Sequence, residues 1–146
     1  MAISNISGSA MVDALLDALH PSSGTATVGT KTITAPIRVR LMTTNGSDTA
    51  AGTELASGGS YVNGNGAPTT GGISIDTHWA ASSAKSKATN ATVSQTNMPA
   101  TTIVGVELWD THATAQRIDW GSMTSKTTQA GDTLSFSSGA ISVAIT

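Results

Sequence analysis

Helical periodicity occurs once in this chain, and it ends at a proline. Val12, Leu15, Leu16 and Leu19 stand at i, i+3, i+4 and i+7, with Asp13 and Asp17 on the other side, in a stretch from 5 to 20 that Pro21 stops. Asn5, Ser7 or Ser9 can cap its start, and the early aspartates suit the positive end of the helix dipole. After the short hinge Pro21-Ser22-Ser23-Gly24 the composition turns to Thr, Val, Ile and Gly with period two. Everything beyond residue 24 therefore has to build its core from strands.

Three stretches carry that period most clearly. Ile37-Arg38-Val39-Arg40-Leu41 alternates apolar residues with arginines, the pattern of a strand with one buried and one solvated face. Val104, Val106 and Leu108 alternate with Ile103, Gly105, Glu107 and Trp109, and Ile141, Val143 and Ile145 with Ser142 and Ala144. Weaker strands are expected at 26–34, 60–62, 72–75, 91–95, 116–120 and 133–136. Turn signals separate them at Asn45-Gly46, Asn63-Gly64-Asn65-Gly66, Gly71-Gly72 and Gly131-Asp132. Many short strands without intervening helices predict a mainly β fold, an antiparallel, jelly-roll-like β-sandwich behind one N-terminal amphipathic helix. The expected division is a helix and hinge over 1–24 and a sandwich over 25–146.

Charged residues make up only 11% of the 146, against about a quarter in an average domain, so the surface is largely neutral Ser, Thr, Asn, Gly and Ala. Seven Lys and Arg against nine Asp and Glu give a formal net charge of -2 with no basic block. Sequence-independent nucleic-acid binding lacks its electrostatic footprint, so nucleic acid is not an expected partner. The first residues have neither a basic nor an apolar signal region, and no later run approaches a membrane span, so neither a secretory signal nor a membrane partner is expected. The Asn-x-Ser/Thr matches at Asn5, Asn45 and Asn90 carry little weight without a secretory route. With no cysteine, disulfides and thiolate sites are absent.

Candidate chemistry is sparse. Asp-Thr-His occurs twice, at Asp76-Thr77-His78 and Asp110-Thr111-His112, each beside a tryptophan. In extended chain the Asp and His of each pair share a side, and two pairs facing each other would make a two-His, two-carboxylate metal site from Asp76, His78, Asp110 and His112. The competing reading is two turns whose aspartates bond their own backbone. No Gly-x-Ser-x-Gly elbow, phosphate loop or His-Glu-x-x-His is present, so no catalytic residue and no cofactor is expected. The five aromatic rings are too few for a base-stacking or sugar-binding platform. Trp109 and Trp120, in or beside strands, are expected in the core or between subunits; Trp79 has no such context.

The C-terminal half carries a family resemblance. Val104-Gly105-Val106-Glu107-Leu108-Trp109-Asp110, Trp120-Gly121-Ser122-Met123-Thr124, the run from Lys126 to Leu134 and Gly139-Ala140-Ile141-Ser142-Val143 together resemble a family of small tailed-phage virion proteins, found notably in phages of actinobacteria. With the helix, the strand Ile37 to Met42 and the turn Gly58-Gly59-Ser60-Tyr61, the resemblance covers nearly the whole chain. Members are often labelled tail-fibre or minor structural proteins. The resemblance implies a non-enzymatic part of the particle, assembled in the bacterial host cytoplasm, and carries over no catalytic residues.

The expected function is accordingly a decoration or minor capsid protein on the head exterior. A tail-fibre or tail-tip subunit contacting the host is the alternative, and a small metal-dependent hydrolase a remote one. Expected partners are copies of itself, as a homotrimer, and the major capsid or tail proteins. Val12, Leu15, Leu16 and Leu19, with Trp109 and Trp120, are the expected assembly contacts, because a short helix is marginal unless it finds a surface to dock on. The segments 43–72 and 80–90 hold few large apolar residues beyond Leu55, Tyr61 and Val62, and are expected to gain order mainly from other subunits.

Overall fold

A computed structural model describes residues 8–21, 23–67, 69–75 and 78–145, with Gly8 and Ser9 described by their backbone alone. It is mainly β with one helix. Helix α1 (Gly8–Leu19) leads into β1 (Thr25–Val28), β2 (Lys31–Thr34), β3 (Arg38–Thr44), β4 (Thr53–Glu54) and β5 (Ile73–Ser74). There follow β6 (Ser86–Ala88), β7 (Val93–Gln95), β8 (Thr101–Trp109), β9 (Arg117–Thr128), β10 (Leu134–Phe136) and β11 (Ser142–Ala144). The stretch expected as one strand over 26–34 is a hairpin, Val28 opposite Lys31, whose turn residue Gly29 has φ of 61°, a conformation that favours glycine. At 60–62 no strand forms; a single bridge, Gly58 to Tyr61, stands in its place.

All the strand pairs are antiparallel. β3 is central: β8 runs along one side, from Arg38 opposite Trp109 to Met42 opposite Gly105, while β4 and β5 share the other side. β9 pairs with β8 and forms the edge of this five-stranded sheet. Because strand side chains alternate, Val39, Leu41, Val106 and Leu108 share one face, and Arg38, Arg40, Met42, Gly105, Glu107 and Trp109 share the other. The apolar face is covered by the ladders β7–β10 and β6–β11, with Ile33, Ile37, Ile75, Trp79, Val93, Met98, Leu134 and Ile141 in the same buried cluster. The second layer of the sandwich is thus made of short ladders.

The arginine face is not solvated as the alternation suggested. Arg40 is 2% exposed, because the loops between β3 and β5 fold back over it. Those loops also depart from expectation, since segment 43–72 buries Leu55 and Tyr61 within its own chain. In segment 80–90, Lys87 and Thr89 are buried and β6 pairs with β11. A few well-placed anchors order both segments, and an average over their composition hides them.

Helix α1 also packs differently from its apolar stripe. The proposed caps Asn5 and Ser7 lie outside the described residues, and Ser9 falls inside the helix. Leu16 is fully buried and Val12 and Leu19 are half-buried, but Leu15 is 38% exposed. The docked face is Asp13, Leu16, Asp17 and His20, itself an i, i+3, i+4, i+7 set. Asp13 Oδ1 accepts from the Lys85 amide (2.8 Å) and its carbonyl from Ser82 Oγ (2.8 Å), while Asp17 Oδ1 takes Lys87 Nζ at 2.6 Å and the Ser82 amide at 3.2 Å. Burial raises the pKa of the Asp17 carboxyl, but the bonds from Lys87 and Ser82 outweigh it and hold the group below its usual value. The helix therefore rests on the 80–90 segment of its own chain. Leu15→Asp, which leaves that face untouched, should change the free energy of unfolding by no more than about 0.5 kcal/mol in urea titrations.

Candidate functional site

The most unusual arrangement in the molecule is the charged layer on the arginine face. Arg40 Nη1 donates to Asn65 Oδ1 at 3.2 Å and to Glu54 Oε2 at 3.5 Å, and its guanidinium carbon lies 4.2 Å from the centroid of the Trp109 ring. Glu54 Oε1 accepts from the Tyr61 hydroxyl and from the Gly64 amide, each at 2.8 Å. The Tyr61 oxygen in turn accepts from the Leu41 amide at 3.1 Å, which ties the loop to β3. Burial, and then the Glu54 charge, push the Tyr61 phenol far above its ordinary range, so it is a permanent donor. Burial pulls Arg40 down against the pull of Glu54, Tyr61, Glu107 and Asp110. Gly64 is required here because a Cβ would run into the Arg40 guanidinium.

A second charged pair holds the neighbouring loop. Glu107 Oε1 accepts from the Gly52 amide (2.7 Å) and from Arg117 Nη1 (3.1 Å), and Oε2 accepts from Trp109 Nε1 (2.9 Å). Arg117 spreads its remaining donors over the carbonyls of Ser47 (2.5 Å), Ala50 (2.7 Å) and Asp48 (3.3 Å). One guanidinium thereby closes the turn between β3 and β4 onto the sheet. These acids and cations are engaged in holding backbone.

Of the four proposed metal ligands, the three among the described residues, His78, Asp110 and His112, form no cluster. Asp76 lies outside the described residues. Asp110 is buried, with Oδ1 accepting from the Gln116 amide (2.6 Å) and Oδ2 from the Thr34 amide (3.3 Å). His112 is exposed, its Nδ1 accepting from the Thr114 amide, and His78 is half-buried between β5 and β6, its carbonyl accepting from the Asn90 amide. Among the described residues no three His, Asp or Glu side chains converge on a metal-sized position. Asp110 therefore ties the chain after β8 to the Gln116 amide and to β2, and Asp110→Ala should cost about 1–3 kcal/mol in chemical unfolding by leaving two amides without their acceptor.

The tryptophans are also redistributed. Trp109 is half-buried under Arg40, whereas Trp120 is 41% exposed, with Nε1 donating to Asp48 Oδ1 at 3.0 Å, and so is not a core residue. Trp79, which had no sequence context, is 6% exposed and packs against His20 at 5.1 Å between ring centroids. Arg-x-Arg facing Glu107 across one ladder was the available signal for the charged layer, and the loop glycines were its second half.

On the opposite, apolar face the sandwich is partly open along β9. A cleft of about 450 Å³ lies between β9 and the β10–β11 segment, lined by Val106, Leu108, Trp120, Met123, Phe136 and Ile141 among others. Along it runs β9, whose outward residues Ser122, Thr124, Ser125, Lys126 and Thr127 are exposed and mostly neutral. The ladder to β8 is regular from Asp119 to Ser122 and then shifts by two residues before Lys126 meets Ile103. A shift of that kind, with a lysine beside it, is how natural edges limit uncontrolled strand addition. The chain matches no protein-family model, no curated protein and no solved structure, so geometry and sequence pattern alone bear on what it does.

Proposed function

We propose that this chain is a non-enzymatic structural protein of a tailed-phage virion, a decoration or minor capsid protein on the head exterior that associates as a trimer and with the major capsid protein. The observation that carries the reading is where the ionisable groups go. Arg40, Glu54, Glu107, Arg117 and Asp110 hold loops onto the sheet, which leaves a firm surface rich in Ser, Thr and Gly along β9. Such a surface lacks the self-repulsion that keeps charged proteins apart, and rigid loops lose little entropy on packing against neighbours. The resemblance of the C-terminal segments to small virion proteins supplies the particle.

Immunogold labelling of intact virions, combined with copy-number measurement by quantitative mass spectrometry, tests the reading. Label over the heads, with copies in fixed proportion to the major capsid protein, is the expected result. Label confined to the tail overturns the head assignment in favour of a tail-fibre or tail-tip subunit. The feature favouring that second reading is Trp120, an exposed ring whose Nε1 donates to Asp48 Oδ1.

A further inference from the structure

His20 follows the last turn of α1 and is completely buried, yet both of its ring nitrogens meet acceptors. Nδ1 lies 3.0 Å from the Leu16 carbonyl oxygen and Nε2 lies 2.7 Å from Asp119 Oδ2 on β9. A carbonyl cannot donate, and an ionised carboxylate cannot either, so each nitrogen has to supply a proton of its own. A neutral imidazole has only one. We infer that α1 is latched to the sheet by a doubly protonated His20, and that loss of the second proton releases the helix.

The latch ties the end of α1 to the central sheet, whereas the bonds through Asp13 and Asp17 go to the 80–90 segment. The other face of the ring rests on Trp79, which carries no titratable group. On the elements packed around the helix, the remaining charges are Lys87 on β6, already held by Asp17, and Lys31 on β2 and Arg117 on β9, which share a cleft wall with Leu19. Arg117 is engaged with Glu107, so Asp119 is the carboxylate in contact with the ring. Without the second proton, either Nε2 presents its lone pair to the Asp119 carboxylate or Nδ1 presents its own to the Leu16 carbonyl. Either arrangement leaves a buried repulsion in place of a hydrogen bond. Docking of α1 therefore binds a proton, and by linkage it weakens as pH rises. Release would uncover Leu16 and the Trp79 side of the core.

Hydrogen-exchange protection factors, which divide out the intrinsic pH dependence, test this on the full chain. Between about pH 5.5 and about pH 8, protection of the α1 amides is expected to fall at least tenfold while β3 and β8 keep theirs. Asp119→Asn is the discriminating variant, since its amide can donate to a neutral Nε2 while Nδ1–H still serves Leu16; in that variant protection of α1 should no longer depend on pH. Nitrogen-15 spectra of the His20 ring read the proton count directly. Two protonated nitrogens at about pH 5.5 are expected. A single-tautomer neutral ring there, or equal α1 protection at both pH values in the unmodified chain, overturns the inference.

Discussion

Glu54→Ala should lower the midpoint of thermal unfolding by roughly 10 °C. The substitution leaves Arg40 buried without its carboxylate and removes the acceptor for both the Tyr61 hydroxyl and the Gly64 amide. Breaking a buried pair by deleting one partner costs about 3–5 kcal/mol, and in a chain of this size each kcal/mol moves the midpoint by about 2–4 °C. Arg40 has little means of compensation, because its Nε already has no hydrogen-bond partner and the Gly64 backbone blocks movement outward. The pair with Arg40→Met, Glu54→Ala separates the causes. If an unpaired cation is the problem, the double variant should be more stable than the sum of the two single losses predicts. A shift below about 3 °C for Glu54→Ala alone would mean that water reaches the layer and that it is not a structural anchor.

Arg117→Met should act more locally and cost roughly 2–3 kcal/mol, less than the fully buried pair because Arg117 is partly exposed. Methionine preserves most of the aliphatic stem, so the loss falls on the guanidinium bonds to Ser47, Asp48, Ala50 and Glu107. Hydrogen exchange should rise first and most over residues 45–52, the turn that this side chain closes, and later over β3 and β8. Uniform acceleration across the sheet would show instead that Arg117 supports the whole fold. In the unmodified protein the Gly52 and Gly64 amides should be protected without any partner present, because their acceptors, Glu107 and Glu54, belong to the same chain.

The fold class was legible because period is a local property. Alternation at 37–41, 103–109 and 141–145 marks strands whatever they pack against, and the strands at 38–44, 101–109 and 142–144 followed. The sides of those strands were not legible, since alternation distinguishes two faces without saying what covers each. Arg40 looked like a solvated residue, and its cover comes from loops up to 30 residues later in the chain, whose Gly-rich composition read as a lack of structure. The same limit applies to α1. Its apolar stripe is real, but Lys87 and the Ser82 and Lys85 amides stand where Asp13 and Asp17 meet them, and this rotates Leu15 outward. In the second Asp-Thr-His the aspartate, placed after a strand, is taken up by the Gln116 and Thr34 amides.

Both broad faces of the five-stranded sheet are already occupied, one by the short ladders and the other by the pinned loops. Among the described residues this leaves the β9 rim, with the cleft beside it, as the open part of the sheet. In the assembly proposed above, a neighbour docked on that rim would leave the loops over the arginine face free to lengthen without touching the contact.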